Sequence, residues 1–442
     1  MITTPFSVRF DTDPPPRYTA GGHGFVTERE PDAIPALRVS EINSGFAPAW
    51  WYEGKTVTEL RRSDNGVTAG PSAAVREADL LRRAIPLWYK ADTGAGKFRV
   101  TATLRGAEDC GEALLFVSRR RLCWRGALAK GEQVTVTALC DVSPIIAVGG
   151  GDAAAGDLGR AEDTSVDVVV TGAALYSLEI HPWEGKTLWL MGDSTVTDQP
   201  AQTPYAPGAT YAGWGQMLPV YLGEQYCVSN HAHSGLSTET FRDKGHYGLM
   251  VPLLRPGDMV LIQFGHNDQK RLHLAADTGY SENLLRYIRE LRASRTCPVL
   301  VTPLARNTWA SGTEYNDMLA PFAAAMKRIG QTEGVPVLDL HGAMKAAICR
   351  AGMDAARVWF HPCDYTHTND FGAHMAAGFV AEELVRCGLI SEIPVPAWQV
   401  HAPLDELEAP PELAPPAGSK PLVDYGLIPD APWPITERGE NV

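Results

Sequence analysis

The chain has 442 residues, with 39 Lys and Arg against 52 Asp and Glu, so its formal charge is −13. Hydrophobic residues make up 45% and charged residues 21%, the balance of a globular protein rather than a disordered or fibrous one. A chain of this length has room for about two or three domains, and its acidity argues against nucleic acid or an anionic membrane surface as a partner.

The N-terminus, MITTPFSVRFDTDPPP, has neither the basic start nor the apolar run of a secretory signal. No stretch approaches the roughly 20 apolar residues that cross a bilayer, so the expectation is a cytoplasmic protein. The eight cysteines are scattered with no C-x-x-C spacing, a pattern of buried reduced thiols rather than structural zinc or a redox dithiol.

Residues 1–184 carry little helical periodicity and several short runs rich in Val, Thr and Phe. Examples are Lys97–Leu104, Ala113–Val117, Gln133–Leu139 and Ser165–Val170, separated by Gly, Asp and Pro. Such alternation predicts an antiparallel β-sandwich. The Gly-, Ala- and Asp-rich stretch Gly149–Asp163 reads as a long surface loop.

Residues 185–392 change pattern, with short apolar strands alternating with amphipathic helical segments. Strands are expected at Thr187–Met191, Tyr226–His231, Met259–Phe264, Pro298–Thr302 and Val335–Leu340. Helices are expected near Gly215–Leu222, Tyr247–Leu254, Ser281–Ala293, Glu314–Gly330, His341–Ala351 and Asp370–Cys387. The fold class is thus α/β, a flavodoxin-like three-layer arrangement on a five-stranded parallel sheet, preceded by an all-β domain. Residues 393–442 are punctuated by proline and read as an extended tail, with Trp398, Leu404, Tyr425, Leu427 and Trp433 as apolar anchors that favour wrapping on the body.

The chemistry-bearing residues follow the expected strands. After the first comes Gly192-Asp193-Ser194, where a glycine permits a sharp turn and the serine presents its hydroxyl on the ligand side. After the second comes Gly235, whose N–H can join that of Ser194 as an oxyanion donor. After the third comes Gly265-His266-Asn267-Asp268, in which the Asn267 amide can supply a third donor. Just before the last helix, Asp364 precedes His367 by three residues. A serine nucleophile needs a base, and the base needs a carboxylate to hold its tautomer. Each element alone has a plainer reading, as a turn or a helix cap. Their recurrence after successive strands favours catalysis.

In this order the four blocks resemble those of the SGNH (GDSL) hydrolase superfamily. The strings GDSTVTDQ, GWGQMLP, NHAHSGLST, LIQFGHNDQK and DYTHTN are similar, more narrowly, to the rhamnogalacturonan acetylesterases within it. The front sandwich resembles the galactose-binding-like module that precedes some members. The resemblance implies Ser194 as nucleophile, His367 as general base and acid, and Asp364 as its orienting carboxylate. It implies an oxyanion hole of the Ser194 and Gly235 N–H groups with the Asn267 side chain, and hydrolysis through an acetyl-enzyme with no metal or organic cofactor.

The implied partner is an acetylated, pectin-derived oligosaccharide. Arg242, Lys270 and Arg306 fall on rim loops where they can pair with uronate carboxylates. Trp214 and Trp309 are candidate sugar-stacking platforms, with core packing the alternative for Trp214. His266 is placed either against substrate or in the loop that holds Asn267. His231, His233 and His361 lie near the motif loops but lack metal-ligand spacing. Competing readings are esterases for other acylated sugars such as acetylated xylan, and a non-catalytic carbohydrate-binding protein. Oligomeric state is not encoded in any of these features.

Overall fold

The computed structural model describes residues 1–11, 13–27, 44–48, 58–73, 75, 84–148, 157–161, 163–362 and 364–395. The chain forms two compact units. One comprises Met1–Gly185, Asp198–Thr210 and Leu222–Ser229, the other Lys186–Thr197, Tyr211–Tyr221 and Asn230–Val442.

The first unit is built mainly from antiparallel strands, with one parallel pair, Phe46–Pro48 and Ala201–Thr203. One sheet runs Gln133–Val142, Gly96–Arg105, Ala174–Pro182, Gly66–Pro71, Thr58–Ser63, with Phe6–Arg9 also paired to Ala174–Pro182. The other runs His23–Val26, Leu87–Asp92, Ser165–Thr171, Cys110–Val117, Arg121–Leu128. Strand Gly96–Arg105 shows the period-two pattern cleanly, burying Phe98, Val100, Ala102 and Leu104 while the residues between them are more exposed. These side chains share one core with Leu115, Val117, Val168 and Val170 of the second sheet. The four strands named from sequence all fall within observed strands.

The stretch Gly149–Asp163 needs correction. Asp157–Ala161 is a strand paired antiparallel with Ile145–Val148, so this part is a hairpin arm; residues 149–156 and 162 lie outside the described residues. Alanine and glycine gave that arm no apolar alternation to read.

Strands Cys110–Val117 and Arg121–Leu128 are joined by Ser118, Arg119 and Arg120, all with positive φ (34°, 47° and 58°). This turn is buried and charged. Arg121 donates to Asp198 Oδ2 from Nε at 3.1 Å and from a terminal nitrogen at 3.0 Å, and its other terminal nitrogen donates to the Val228 carbonyl at 3.0 Å.

In the α/β part, five strands lie in the order Cys227–Asn230, Thr187–Gly192, Met259–Gln263, Cys297–Val301, Val337–Leu338. This 2-1-3-4-5 order is that of a flavodoxin-like sheet, in which ligand groups gather at the carboxyl ends of the strands. Helices Gly279–Ala293, Ala320–Glu333, Leu340–Ala351 and Asp370–Arg386 accompany it. The central strands are uniformly buried, as expected of a parallel sheet covered on both faces.

Several boundaries shift for local reasons. The helix expected from Glu314 begins at Ala320, because Trp309 and Tyr315 bridge as a turn and Pro321 suits only the first helical turn. The expected helix Gly215–Leu222 is split into Trp214–Met217 and Pro219–Leu222, since Pro219 offers no N–H to continue it. The last strand is only Val337–Leu338, because Asp339 already caps the next helix by accepting from the Gly342 N–H.

The tail from residue 396 onward, with its proposed anchors, lies outside the described residues, as does Cys363. The other seven cysteines are free thiols. Among the described residues no helix is long and apolar enough to cross a membrane.

Candidate active site

Strand Thr187–Gly192 delivers Ser194 to the carboxyl edge of the parallel sheet. The turn after it is fixed by Asp193, whose Oδ1 accepts from the Thr195 N–H at 3.0 Å and its hydroxyl at 2.8 Å. The Asp193 carbonyl accepts from the N–H groups of Val196 and Thr197. Gln263, at the end of the neighbouring strand, donates to Thr195 Oγ1 at 2.6 Å and accepts from Trp214 Nε1 at 2.8 Å. The two glycines beside Trp214 have a steric reason. A Cβ on Gly213 would sit 2.4 Å from the Thr197 carbonyl oxygen, and one on Gly215 would sit 2.5 Å from the Val196 carbonyl oxygen. The backbone of Gly213–Gly215 thus lies against the segment after the serine, and larger residues would push it away.

The loop before helix Asp370–Arg386 presents the imidazole. Asp364 Oδ1 accepts from the backbone N–H groups of Thr366 at 2.7 Å and His367 at 3.0 Å. Asp364 Oδ2 lies 2.9 Å from His367 Nδ1, and His367 Nε2 lies 2.8 Å from Ser194 Oγ. A carboxylate only accepts, so Nδ1 carries the proton and Nε2 accepts from the serine hydroxyl. Burial pushes the Asp364 carboxyl up, but the hydrogen bond and charge of His367 and the two N–H donors outweigh it and hold it at about 2. Asn369 accepts from the Gly372 N–H as the helix cap and donates to the carbonyls of Val358 and Phe360.

Gly235 adopts φ +81°, and the space where its Cβ would stand is open. Asn267 is held by two contacts: its amide nitrogen donates to the Leu236 carbonyl at 3.0 Å, and its oxygen accepts from Lys270 Nζ at 3.2 Å. An amide nitrogen carries two hydrogens, so the second remains for a ligand. Burial, then the nearby Arg306, lower the Lys270 pKa.

The remaining site residues anticipated from sequence divide sharply. His266 is buried, with Nε2 donating to the Leu304 carbonyl at 2.9 Å and Nδ1 3.3 Å from Asp193 Oδ2. It braces the loop and does not face solvent. Arg306 is buried, brought down to about 10 by desolvation against the opposing charges of Tyr365, Asp193 and Asp364. Arg242 pairs with Glu290 at 3.0 Å and lies over the rings of Tyr247 and Tyr287. Trp214 and Trp309 are both buried, at 1% and 4% exposure, with their indole N–H groups donating to Gln263 and Asn307. Neither offers a face to a sugar, which corrects the platform expectation.

Sequence reading missed Gln263, whose partners Thr195 and Trp214 are far from it along the chain. It also missed Tyr211, which stacks on His361 and meets His367 edge-on, a position signalled only by the adjoining Gly-Trp-Gly string. Among the described residues no group of three or more His, Cys, Asp or Glu side chains is arranged to hold a metal ion.

Residues 190–372 match the GDSL-like lipase/acylhydrolase family. Rhamnogalacturonan acetylesterase RhgT of Bacillus subtilis (strain 168) is 32% identical over 215 residues, spanning 46% of this chain and 90% of that protein. The probable rhamnogalacturonan acetylesterase YesY of the same organism is 32% identical over 210 residues, spanning 46% and 94%. A rhamnogalacturonan acetylesterase of Emericella nidulans is 30% identical over 241 residues, spanning 49% and 92%. With its serine, glycine, asparagine and histidine blocks at the carboxyl edge of a parallel sheet, the chain belongs to the GDSL-like lipase/acylhydrolase family.

Proposed function

We propose that the protein is a serine esterase that removes O-acetyl groups from carbohydrate, and that its substrate is a pectin-derived, rhamnogalacturonan-type saccharide. The observation that carries the reading is the hydrogen-bonded chain from Ser194 Oγ to His367 to Asp364, at 2.8 and 2.9 Å. In it Ser194 attacks the acetyl carbonyl while His367 Nε2 takes its proton, and Asp364 stabilises the imidazolium. The N–H groups of Ser194 and Gly235 and the Asn267 amide receive the developing oxyanion. His367 then gives that proton to the departing sugar oxygen, which leaves as a hydroxyl, and water cleaves the acetyl-enzyme by the same route in reverse.

The substrate class is carried by the curated relatives, of which the chain spans nine-tenths or more for the three named. Lys270, beside Asn267, is the basic group best placed to meet a uronate carboxylate. We further propose that residues 1–184 form a galactose-binding-like module, residues 185–392 the hydrolase and residues 393–442 a tail.

The test is acetate release from acetylated rhamnogalacturonan oligosaccharides, wild type against Ser194→Ala, with acetylated xylooligosaccharides alongside. Release that the variant abolishes supports nucleophile and substrate together. Ser194-dependent release from the xylan fragments alone moves the substrate assignment to xylan. Binding of either saccharide with no hydrolysis by wild type would make this a binding protein.

A further inference from the structure

Two of the groups assigned to the oxyanion stand on separate loops. Gly235 follows strand Cys227–Asn230, and Asn267 follows strand Met259–Gln263. Gly235 has no side chain to anchor it, and beyond its chain neighbours no heavy atom lies within 4 Å of where its Cβ would stand. Its turn is closed by the Leu236 N–H on the His233 carbonyl at 3.4 Å, and the His233 N–H ties it to the Gly192 carbonyl at 3.2 Å. Neither bond reaches the Asn267 loop.

Asn267 and its neighbour Asp268 make that connection. The Asn267 amide nitrogen donates to the Leu236 carbonyl at 3.0 Å. Asp268 Oδ1 accepts from the Thr238 N–H at 3.0 Å and from the Thr238 hydroxyl at 2.6 Å. Helix Gly279–Ala293 supports both loops from one face, through residues spaced three and four apart. On the Gly235 side, the Tyr287 hydroxyl donates to the Thr238 carbonyl at 2.7 Å and Asn283 Nδ2 donates to Thr238 Oγ1 at 3.0 Å. On the Asn267 side, the Tyr280 hydroxyl donates to the Phe264 carbonyl at 2.9 Å.

Asp268 and Thr238 are both buried, at 0% and 1% exposure. Burial raises the Asp268 carboxyl to about 7 even against the hydrogen bonds of Thr238, so the group is held in the core at a cost. What it supplies there is placement. A single contact at Leu236 would let one loop pivot on the other, whereas a second at Thr238 fixes direction as well as distance. Oxyanion donors act only within about 2.7–3.1 Å of the developing charge, and a misplacement of about 1 Å costs on the order of 10²-fold.

We propose that Asp268, clasping Thr238, is a positioning residue of the oxyanion hole, setting the Gly235 N–H and the Asn267 amide at the spacing that one oxygen can bridge. The inference rests on the serine-esterase reading above and extends it to a carboxyl outside the Ser194–His367–Asp364 chain.

The experiment compares wild type, Thr238→Val, Thr238→Ser and Asp268→Ala, with Ser194→Ala as the blank, on p-nitrophenyl acetate and against phenylboronic acid. When that acid binds a serine, Ser194 Oγ bonds to boron, its proton passes to His367, and boron becomes tetrahedral and anionic, presenting an oxygen to the hole. Thr238→Val removes the hydroxyl and keeps the shape. It should lower kcat roughly tenfold, leave KM within about twofold, and weaken the phenylboronic acid Ki by the same factor as kcat. Thr238→Ser, which keeps the hydroxyl, should return both to within about threefold of wild type. Asp268→Ala should lose at least as much as Thr238→Val; if it does not fold, Thr238→Val decides alone. A lowered urea midpoint with kcat and Ki unchanged would make the clasp purely structural. A fall in kcat with Ki unmoved would reflect a smaller active fraction or a different step, and a change confined to KM would place the effect in substrate binding; each of the three overturns the proposal. If wild type shows no hydrolysis above the Ser194→Ala blank, the esterase reading fails and the clasp with it, whereas Ser194-dependent hydrolysis with unaffected variants overturns the clasp alone.

Discussion

Asp364 does two things with its two oxygens. Oδ1 accepts from two backbone N–H groups and fixes the loop, while Oδ2 holds the His367 tautomer that can accept from Ser194. Replacing it with asparagine keeps the shape and lets an amide N–H face Nδ1, which favours the opposite tautomer and leaves Nε2 protonated. Asp364→Asn should therefore lower kcat by on the order of 10³–10⁴ while KM changes little. Steady-state kinetics on p-nitrophenyl acetate decides it, and a loss below tenfold would remove Asp364 as the carboxylate that orients His367. The hydrogen-bonded arrangement of Ser194, His367 and Asp364 was legible in sequence because an i, i+3 pair on a turn and a strand-end serine are local patterns. The exposure of a tryptophan is not local: Trp214 and Trp309 carry the same composition signal as a sugar platform, yet tertiary packing buries both.

At the level of elements, the helix Asp370–Arg386 matters through its start. Asn369 caps it with one amide atom and ties down two carbonyls of the preceding segment with the other, two residues after His367. Asn369→Ala removes all three contacts from a buried position, and the expected cost is about 1–3 kcal/mol of stability. Urea unfolding measures that cost. Because the loop carrying His367 leads directly into this cap, kcat should fall as well, and an unchanged kcat in the destabilised variant would show that the loop is fixed by Asp364 alone. The long helices were readable from their periodicity and caps. Short ones were not, since Pro219 and Pro321 decide where four-residue turns and helix starts fall more strongly than the apolar pattern does. The arm Asp157–Ala161 was hidden for a different reason, as a strand made by pairing rather than by side-chain preference.

Across the whole molecule, two buried groups, one in each compact unit, respond to pH in opposite directions. In the first, burial raises the Asp163 carboxyl to about 8 against the opposing charge of Arg119, so the folded state holds a proton that the unfolded chain has released. Its contribution is present below the ordinary carboxylate range and is lost as pH rises toward 8. In the second, burial and the nearby His233 and His231 lower His246 to about 3, so the unfolded chain takes up a proton that the folded state refuses. That contribution is present above the ordinary histidine pKa and is lost as pH falls toward 3. Urea midpoints at pH 4.5, 6.5 and 8.5 should show both limbs. Asp163→Asn should flatten the alkaline one and His246→Phe the acid one, and a variant that shifts all three midpoints equally would remove its group as the cause.

Synthesis imposes an order on this chain. The first compact unit resumes after Ser194, taking in residues 198–210 and 222–229, so it is not complete when the ribosome has made its last sandwich strand. At that moment the buried Arg121 has neither Asp198 nor the Val228 carbonyl to receive its three N–H donors. Asp141 remains as an opposing charge, but loss of the Asp198 half of the buried cluster costs on the order of 3–5 kcal/mol, a large share of a small sandwich's stability. The nascent sandwich therefore lacks these contacts until residues 198–229 have emerged, and a gene cut at residue 185 should yield a fragment destabilised by their loss.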